Sequence, residues 1–239
     1  VHETAKALSS DRKVAGWAAL TFAITPVHSS SVLWVSGLGD VLCGTFYFAS
    51  VYLFVTWSGR GVLRIAMSVS FFGLALLSKE MAGSLPLVLF CIALWMERDG
   101  QVRRRALEAT GRALPFFLVL LAYLAYRYWV FGDFFTSTTH SNQDPLHLLR
   151  IAARYTVTLI LPVDLEWLKP FVRSHPSVLI AGSIVVLVVA LAVAQRAART
   201  PLLVLSTVWV ILTLLPVARL YAPWYLYIPS FGIALAWGW

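Results

Sequence analysis

Long apolar runs recur along the whole of this chain, and they constrain its fold more than any other feature. They cover Val14–Ile24, Val32–Trp57, Val62–Leu77, Met81–Met96, Leu114–Phe131, Val178–Ala194, Leu202–Val217 and Trp224–Trp239. A bilayer core asks for roughly 20 apolar residues per helix, and shorter runs serve when tilted or flanked by anchoring Trp, Tyr and Arg. Composition agrees with lipid as the solvent. Of the 239 residues, 59% are hydrophobic and 13% charged, against about 25% charged in ordinary soluble domains. So much apolar surface also excludes a disordered chain. The expected fold is an all-α polytopic transmembrane bundle of about eight spans. It forms a single unit over residues 1–239, with no internal repeat and no soluble domain.

The formal net charge of +8 reads as topology rather than nucleic-acid binding, because cytoplasmic loops collect Lys and Arg. Arg98, Arg103, Arg104, Arg105 and Arg112 place the segment Glu97–Arg112 on the cytoplasmic side. Alternating from there puts Lys6, Arg12 and Lys13, then Arg60 and Arg64, then Arg196 and Arg199 on that side too. The outer face receives Thr25–Ser31, the turn Ser78-Lys79-Glu80, the loop Gly132–Ser177 and Ala218–Pro223. Within the long loop, Leu146–Leu161 is an apolar stretch with His147, Arg150 and Arg154 on one helical face. It reads as an interfacial or re-entrant helix. Cys43 and Cys91 lie in apolar runs and read as small core residues. The start at Val1 without Met, and the stop at Trp239 inside an apolar run, read as a fragment cut at both ends.

Polar groups beside lipid are costly, which makes them functional candidates. Lys79-Glu80 joins two apolar runs with no real loop. Lys79 offers a compact cation for a phosphate, with Glu80 orienting it, binding a sugar hydroxyl or holding a metal. A neutral tight turn is the structural alternative. His28 follows Pro26 in the turn Thr25–Ser31, where it reads as a phosphate donor, a base or a structural residue. Asp40, in Gly37-Leu38-Gly39-Asp40, is expected roughly 15 Å down its helix, paired with Arg127. The neighbouring glycines read as packing residues. Arg219 lies on the outer side, where the positive-inside bias disfavours it, and its guanidinium suits a phosphate. Tyr221, Trp224, Tyr225 and Tyr227 follow it as substrate contacts or an interfacial belt. His28, Lys79 and Arg219 on one side would make a cationic pocket for an anionic lipid such as a polyprenyl phosphate.

The run Ile24-Thr25-Pro26-Val27-His28 through Trp34-Val35-Ser36-Gly37 to Asp40-Val41-Leu42 resembles a motif of the GT-C membrane glycosyltransferases. Leu76-Leu77-Ser78-Lys79-Glu80 is similar to that family's "LSKE" turn. Leu214-Leu215-Pro216 followed by Tyr225-Leu226-Tyr227-Ile228-Pro229-Ser230 is similar to its later segment. The matches come in the family's order and cover most of the chain. The nearest branch is the dolichyl- or undecaprenyl-phosphate-sugar mannosyltransferases, including the membrane half of the tetratricopeptide-bearing transferases. Three departures stand out. Ser30 replaces a Glu, Leu38-Gly39 lies where an Arg is usual, and Pro223-Trp224 replaces Glu-Arg, which leaves Arg219 as a displaced substitute.

The resemblance implies an inverting transfer from a polyprenyl-phosphate-linked sugar to a hydroxyl of a protein or glycan acceptor, on the outer or lumenal face. The membrane would be the plasma membrane if the protein is bacterial. The main catalytic Asp would lie upstream of Val1, with Glu80 and Asp40 in support and Lys79, His28, Arg219, Tyr225 and Tyr227 binding substrate. No nucleotide is required. A divalent metal is left open, since His28 and Glu80 supply two ligands and a site needs more. Two alternatives stay open: a transporter or flippase of a lipid-linked sugar, and a non-catalytic lipid-binding homologue.

Overall fold

The computed structural model describes residues 1–56, 61–96, 101–132, 145–160, 200–218 and 220–239. Every regular element among them is helical: α1 (His2–Ser9), α2 (Arg12–Ile24), α3 (Ser29–Val32), α4 (Leu38–Val55), α5 (Val62–Ser78), α6 (Leu85–Met96), α7 (Val102–Phe131), α8 (Pro145–Ile160), α9 (Pro201–Leu214) and α10 (Ser230–Gly238). Short 3₁₀ turns at Pro26–His28, Val35–Gly37, Glu80–Ser84, Leu215–Val217 and Pro223–Leu226 lie between them.

Local chemistry explains the boundaries near the site. The Asp11 carboxylate caps α2, accepting from the backbone N–H of Lys13 at 2.7 Å and of Val14 at 3.4 Å. α2 stops at Ile24 because Pro26 disfavours the α conformation in the residue before it, and Thr25 is extended. The run Val32–Trp57 is not one helix. α3 ends at Val32, a 3₁₀ turn follows, and α4 begins only at Leu38. Gly37 permits that turn, since a Cβ there would overlap the backbone of Ser31. Asp40 therefore lies in the first turn of α4 and not deep within a span, which corrects the expected depth.

Among the described residues two helices, Leu38–Val55 and Val102–Phe131, are long and apolar enough to cross a membrane; Val62–Ser78, Glu80–Met96 and Pro201–Val217 are apolar but shorter. Eight full-length spans are not found among the described residues. Turns at Gly37, Glu80–Ser84, Pro216 and Pro229 divide the apolar runs into shorter helices. The run Val178–Ala194 lies outside the described residues. α7 joins the arginine-rich segment to the following apolar run in one rod of 30 residues, roughly 45 Å at the helical rise. Gly132, at φ 73°, ends it with an N–H bond to the Tyr128 carbonyl at 2.8 Å.

α4 and α5 form a tightly packed hairpin. Ser50 and Ser68, both fully buried, exchange hydrogen bonds across it, each hydroxyl donating to the other's backbone carbonyl at 2.8 and 2.7 Å. Such reciprocal bonds satisfy hydroxyls that lipid cannot. α10 packs between α2 and α9 on small residues. A Cβ at Gly232 would meet the Ser206 carbonyl oxygen at 2.7 Å, and one at Gly238 would meet the Val14 carbonyl oxygen at 2.6 Å. Trp209 fills the centre, stacked on Phe48 with ring centroids 6.0 Å apart, its indole N–H donating to the Ile228 carbonyl at 3.0 Å.

Gly232→Ala is expected to destabilise the fold by about 1–3 kcal/mol, because rigid backbone must move. Gly73→Ala, where a Cβ meets nothing within 4 Å, is expected to leave stability unchanged or slightly raised. Thermal unfolding of the purified protein in detergent checks both, and equal losses would contradict the packing described.

Candidate functional site

The α4–α5 hairpin brings an acid and a base together at one end. Asp40 stands in the first turn of α4, and Lys79 follows the last residue of α5. Gly39 sets the approach: a Cβ there would lie 3.4 Å from the Ser78 carbonyl oxygen, already in tight contact. One turn further, the Cys43 thiol donates weakly to the Lys79 carbonyl at 3.8 Å. With the backbones this close, the Lys79 ammonium donates to Asp40 Oδ1. The Asp40 side chain is 3% exposed and that of Lys79 19%. The expected pairing of Asp40 with Arg127 does not form. Arg127 instead bonds along its own helix to the Tyr123 hydroxyl at 3.3 Å and lies 5.8 Å from the Phe131 ring.

The pair opens onto a pocket of about 160 Å³ lined by Ser30, Trp34, Gly37, Asp40, Lys79 and Trp224. The Trp34 and Trp224 rings pack on each other beside it, their centroids 6.1 Å apart and their planes inclined at 44°. The Ser31 hydroxyl donates to the Trp224 carbonyl at 3.5 Å, tying the two segments together. Tyr225 lies next to the pocket, with the Lys79 ammonium 5.0 Å from its ring centroid. Burial pushes the Tyr225 phenol up from its ordinary value, and the nearby Glu80 and Asp40 carboxylates add to the shift. Glu80 itself is exposed.

The remaining sequence candidates separate from this pocket. His28 is not an open group at the mouth. It is 7% exposed, with Nε2 2.8 Å from the Ser230 hydroxyl and its ring 4.3 Å from Phe22 and 4.8 Å from Tyr227. Tyr227 packs against the same rings and fills the space that a Cβ on Gly44 would need. His28 and Tyr227 thus belong to a packed cluster, so the metal pair of His28 with Glu80 loses its geometric basis. Arg219 lies outside the described residues; of the other two members of the expected cationic trio, Lys79 lines the pocket paired with Asp40, and His28 is packed away from it. Among the described residues no three His, Cys, Asp or Glu side chains gather to hold a metal ion.

α8 fixes the segment that carries Trp224 and Tyr225. It buries Ile151, Tyr155, Thr158 and Leu159. The Tyr155 hydroxyl donates to the Leu220 carbonyl, and Thr158 and Tyr221 share a hydroxyl bond of 2.9 Å. Arg154 lies 4.9 Å from the Tyr221 ring. The pocket residues that are not among the sequence candidates are Trp34 and Ser30, which the sequence marks only as members of a motif; Trp224, a candidate for substrate contact or for an interfacial belt, lines the pocket. No family model, no curated protein and no solved structure matches this chain.

Two tests address the site. Asp40→Asn leaves a largely buried ammonium unpaired, and the expected loss is about 3 kcal/mol; Asp40→Asn with Lys79→Met should recover most of it. Unfolding midpoints of the two variants decide, and failure to recover would show that the pair is not coupled. Burial holds His28 down at about 4, with the Phe22 carbonyl opposing that shift. The unfolded chain protonates near 6.5, so His28 leaves stability untouched above that value. As pH falls from 6.5 towards 4, the unfolded state takes up the extra proton and the native state loses roughly 3 kcal/mol, levelling off below 4. His28→Gln should remove this part of the pH dependence of unfolding.

Proposed function

We propose that the chain is a membrane glycosyltransferase that moves a sugar from a polyprenyl-phosphate donor to a hydroxyl of a protein or glycan acceptor. The observation that carries this reading is the Asp40–Lys79 pair opening onto an aromatic-lined pocket at the end of a helical hairpin. It unites two separate motifs of the GT-C resemblance, the segment running to Asp40 and the Leu76–Glu80 turn. An ammonium has three N–H donors, so Lys79 can hold Asp40 and a phosphate oxygen together. As the lipid phosphate leaves, it gains negative charge that this cation stabilises. In this reading Asp40 serves to orient Lys79 and is not the base that deprotonates the acceptor.

A multi-pass membrane setting with the pocket on the outward face accompanies this reading. Its support is the apolar surface of the helices. In the apolar window of α7, 6% of residues are buried, and Leu118, Leu121 and Trp129 point outward. Water would penalise such a surface, whereas lipid solvates it. A transporter calls for charged groups spread through the bilayer midplane. Asp40 instead lies at a helix mouth. These observations favour the transferase.

Lys79→Met in the intact protein, assayed in membranes with a radiolabelled polyprenyl-phosphate sugar, is expected to lower transfer by about 10²–10³-fold. Transfer at the wild-type rate would refute the assigned role. Binding of the lipid by the wild type without any transfer would favour a non-catalytic lipid-binding protein.

A further inference from the structure

We propose that the exposed face of α7 is a binding site for an anionic phospholipid, with Arg103 and Arg104 holding its phosphate and Leu107, Leu114 and Leu118 receiving an acyl chain. This site depends on the membrane setting above and not on sugar transfer. It lies at the opposite end of the bundle from the Asp40–Lys79 pair.

Positive charge gathers at that end. Asp40 stands in the first turn of α4, and Phe54 and Thr56 close the helix, roughly 20 Å away at the helical rise. There the Arg64 guanidinium donates to the Thr56 carbonyl at 2.8 Å, and that of Arg112 lies 4.9 Å from the Phe54 ring. Arg105 donates to the Leu94 carbonyl at 2.8 Å, in the last turn of α6. These three arginines are engaged with neighbouring helices. Arg103 and Arg104 are exposed beside them. Arg104 bonds Glu108 at 2.8 Å, and Arg103 has no hydrogen bond or ion pair among the described residues. Glu108 is the one acid that the described residues of α4 to α7 place at this end, against five arginines. Such an excess draws anionic headgroups to the surface, and a guanidinium grips phosphate through two parallel N–H donors.

The same face continues as hydrocarbon, which selects a lipid over a free phosphate. At the helical repeat, Leu107, Leu114, Leu118 and Leu121 fall within about 60° of Arg103 around the axis. All four are between 49% and 64% exposed, while Ala109, Ala113 and Phe116 on the opposite face are buried. The rise from Leu107 to Leu118 is roughly 16 Å, about half of a ~30 Å hydrocarbon core and so the depth of one leaflet. A rise of roughly 30 Å from Leu107 reaches Tyr128 and Trp129. Both are exposed, as an aromatic belt at the other interface requires. Arg103 therefore stands at headgroup level, one turn beyond the hydrocarbon. A second copy of the chain is a poorer occupant. Laid alongside in the same orientation, it would set Arg103 and Arg104 against their own counterparts.

Native mass spectrometry of the purified protein in detergent tests the site, with phosphatidylglycerol and phosphatidylcholine of identical acyl chains as probes. The wild type is expected to retain phosphatidylglycerol preferentially. Arg103→Gln with Arg104→Gln should weaken phosphatidylglycerol by about 10-fold and leave phosphatidylcholine unchanged. Arg12→Gln with Lys13→Gln, an equal loss of exposed charge outside α7, should leave both lipids unchanged. Unfolding midpoints verify that each variant folds. Should the α7 double variant be destabilised, Arg103→Gln alone decides, with an expected loss of about 3-fold. Glycerol 3-phosphate, which has the phosphate without the chains, should not displace the lipid, and displacement by it overturns the lipid assignment. Equal loss in both double variants, or loss in neither, overturns the site. A wild type that retains the two lipids equally also overturns it but leaves the membrane setting standing. Retention of neither lipid overturns the site and counts against the membrane setting as well. A lipid-free dimer overturns it in favour of a second copy.

Discussion

The contact between the Asp40 carboxylate and the Lys79 ammonium organises the end of the α4–α5 hairpin on which the pocket sits. Charges with so little access to water persist only when they are paired, so the ends of α4 and α5 are held at the separation the ion pair sets. Further along the same hairpin, the reciprocal Ser50–Ser68 bonds apply the equivalent constraint with neutral groups. Between these two polar clamps the helices meet through apolar side chains and small residues, whose packing has little direction of its own. The clamps supply register, and register aligns Asp40 with Lys79.

The other half of the pocket depends on elements distant in sequence. Trp224 and Tyr225 are carried by a turn that α8 grips from one side through Tyr155, Thr158 and Arg154. Ser31 grips the same turn from the other side. Directly behind it, His28, Tyr227 and Phe22 form a packed aromatic cluster sealed by Ser230. The imidazole thus supports the wall of the site from behind, which accounts for a histidine in that motif without any proton transfer.

Much of the architecture was legible in the chain itself. Helicity follows from the apolar runs, the end of α2 from the turn at Pro26, and the end of α7 from the loop that begins at Gly132. Lys79 and Asp40 each stood out because a charged group among apolar residues is costly. Other features were not legible. Apolar periodicity continues smoothly through Val32–Trp57, so nothing local announced that the long helix starts at Leu38. That start follows from Gly37 closing against the backbone of Ser31, a contact between segments that no window of residues displays. The same shift brought Asp40 to the mouth, where Lys79 pairs with it.

By itself the sequence determined the solvent this chain suits, its helical class and the few polar groups costly enough to deserve a role, because each of these depends on transfer free energies that single residues or short runs carry. Tertiary structure alone decided which groups meet. It placed Asp40 against Lys79, turned His28 and Tyr227 into packing, and set Trp34 opposite Trp224, because partner choice depends on where distant helices end and how closely their backbones approach.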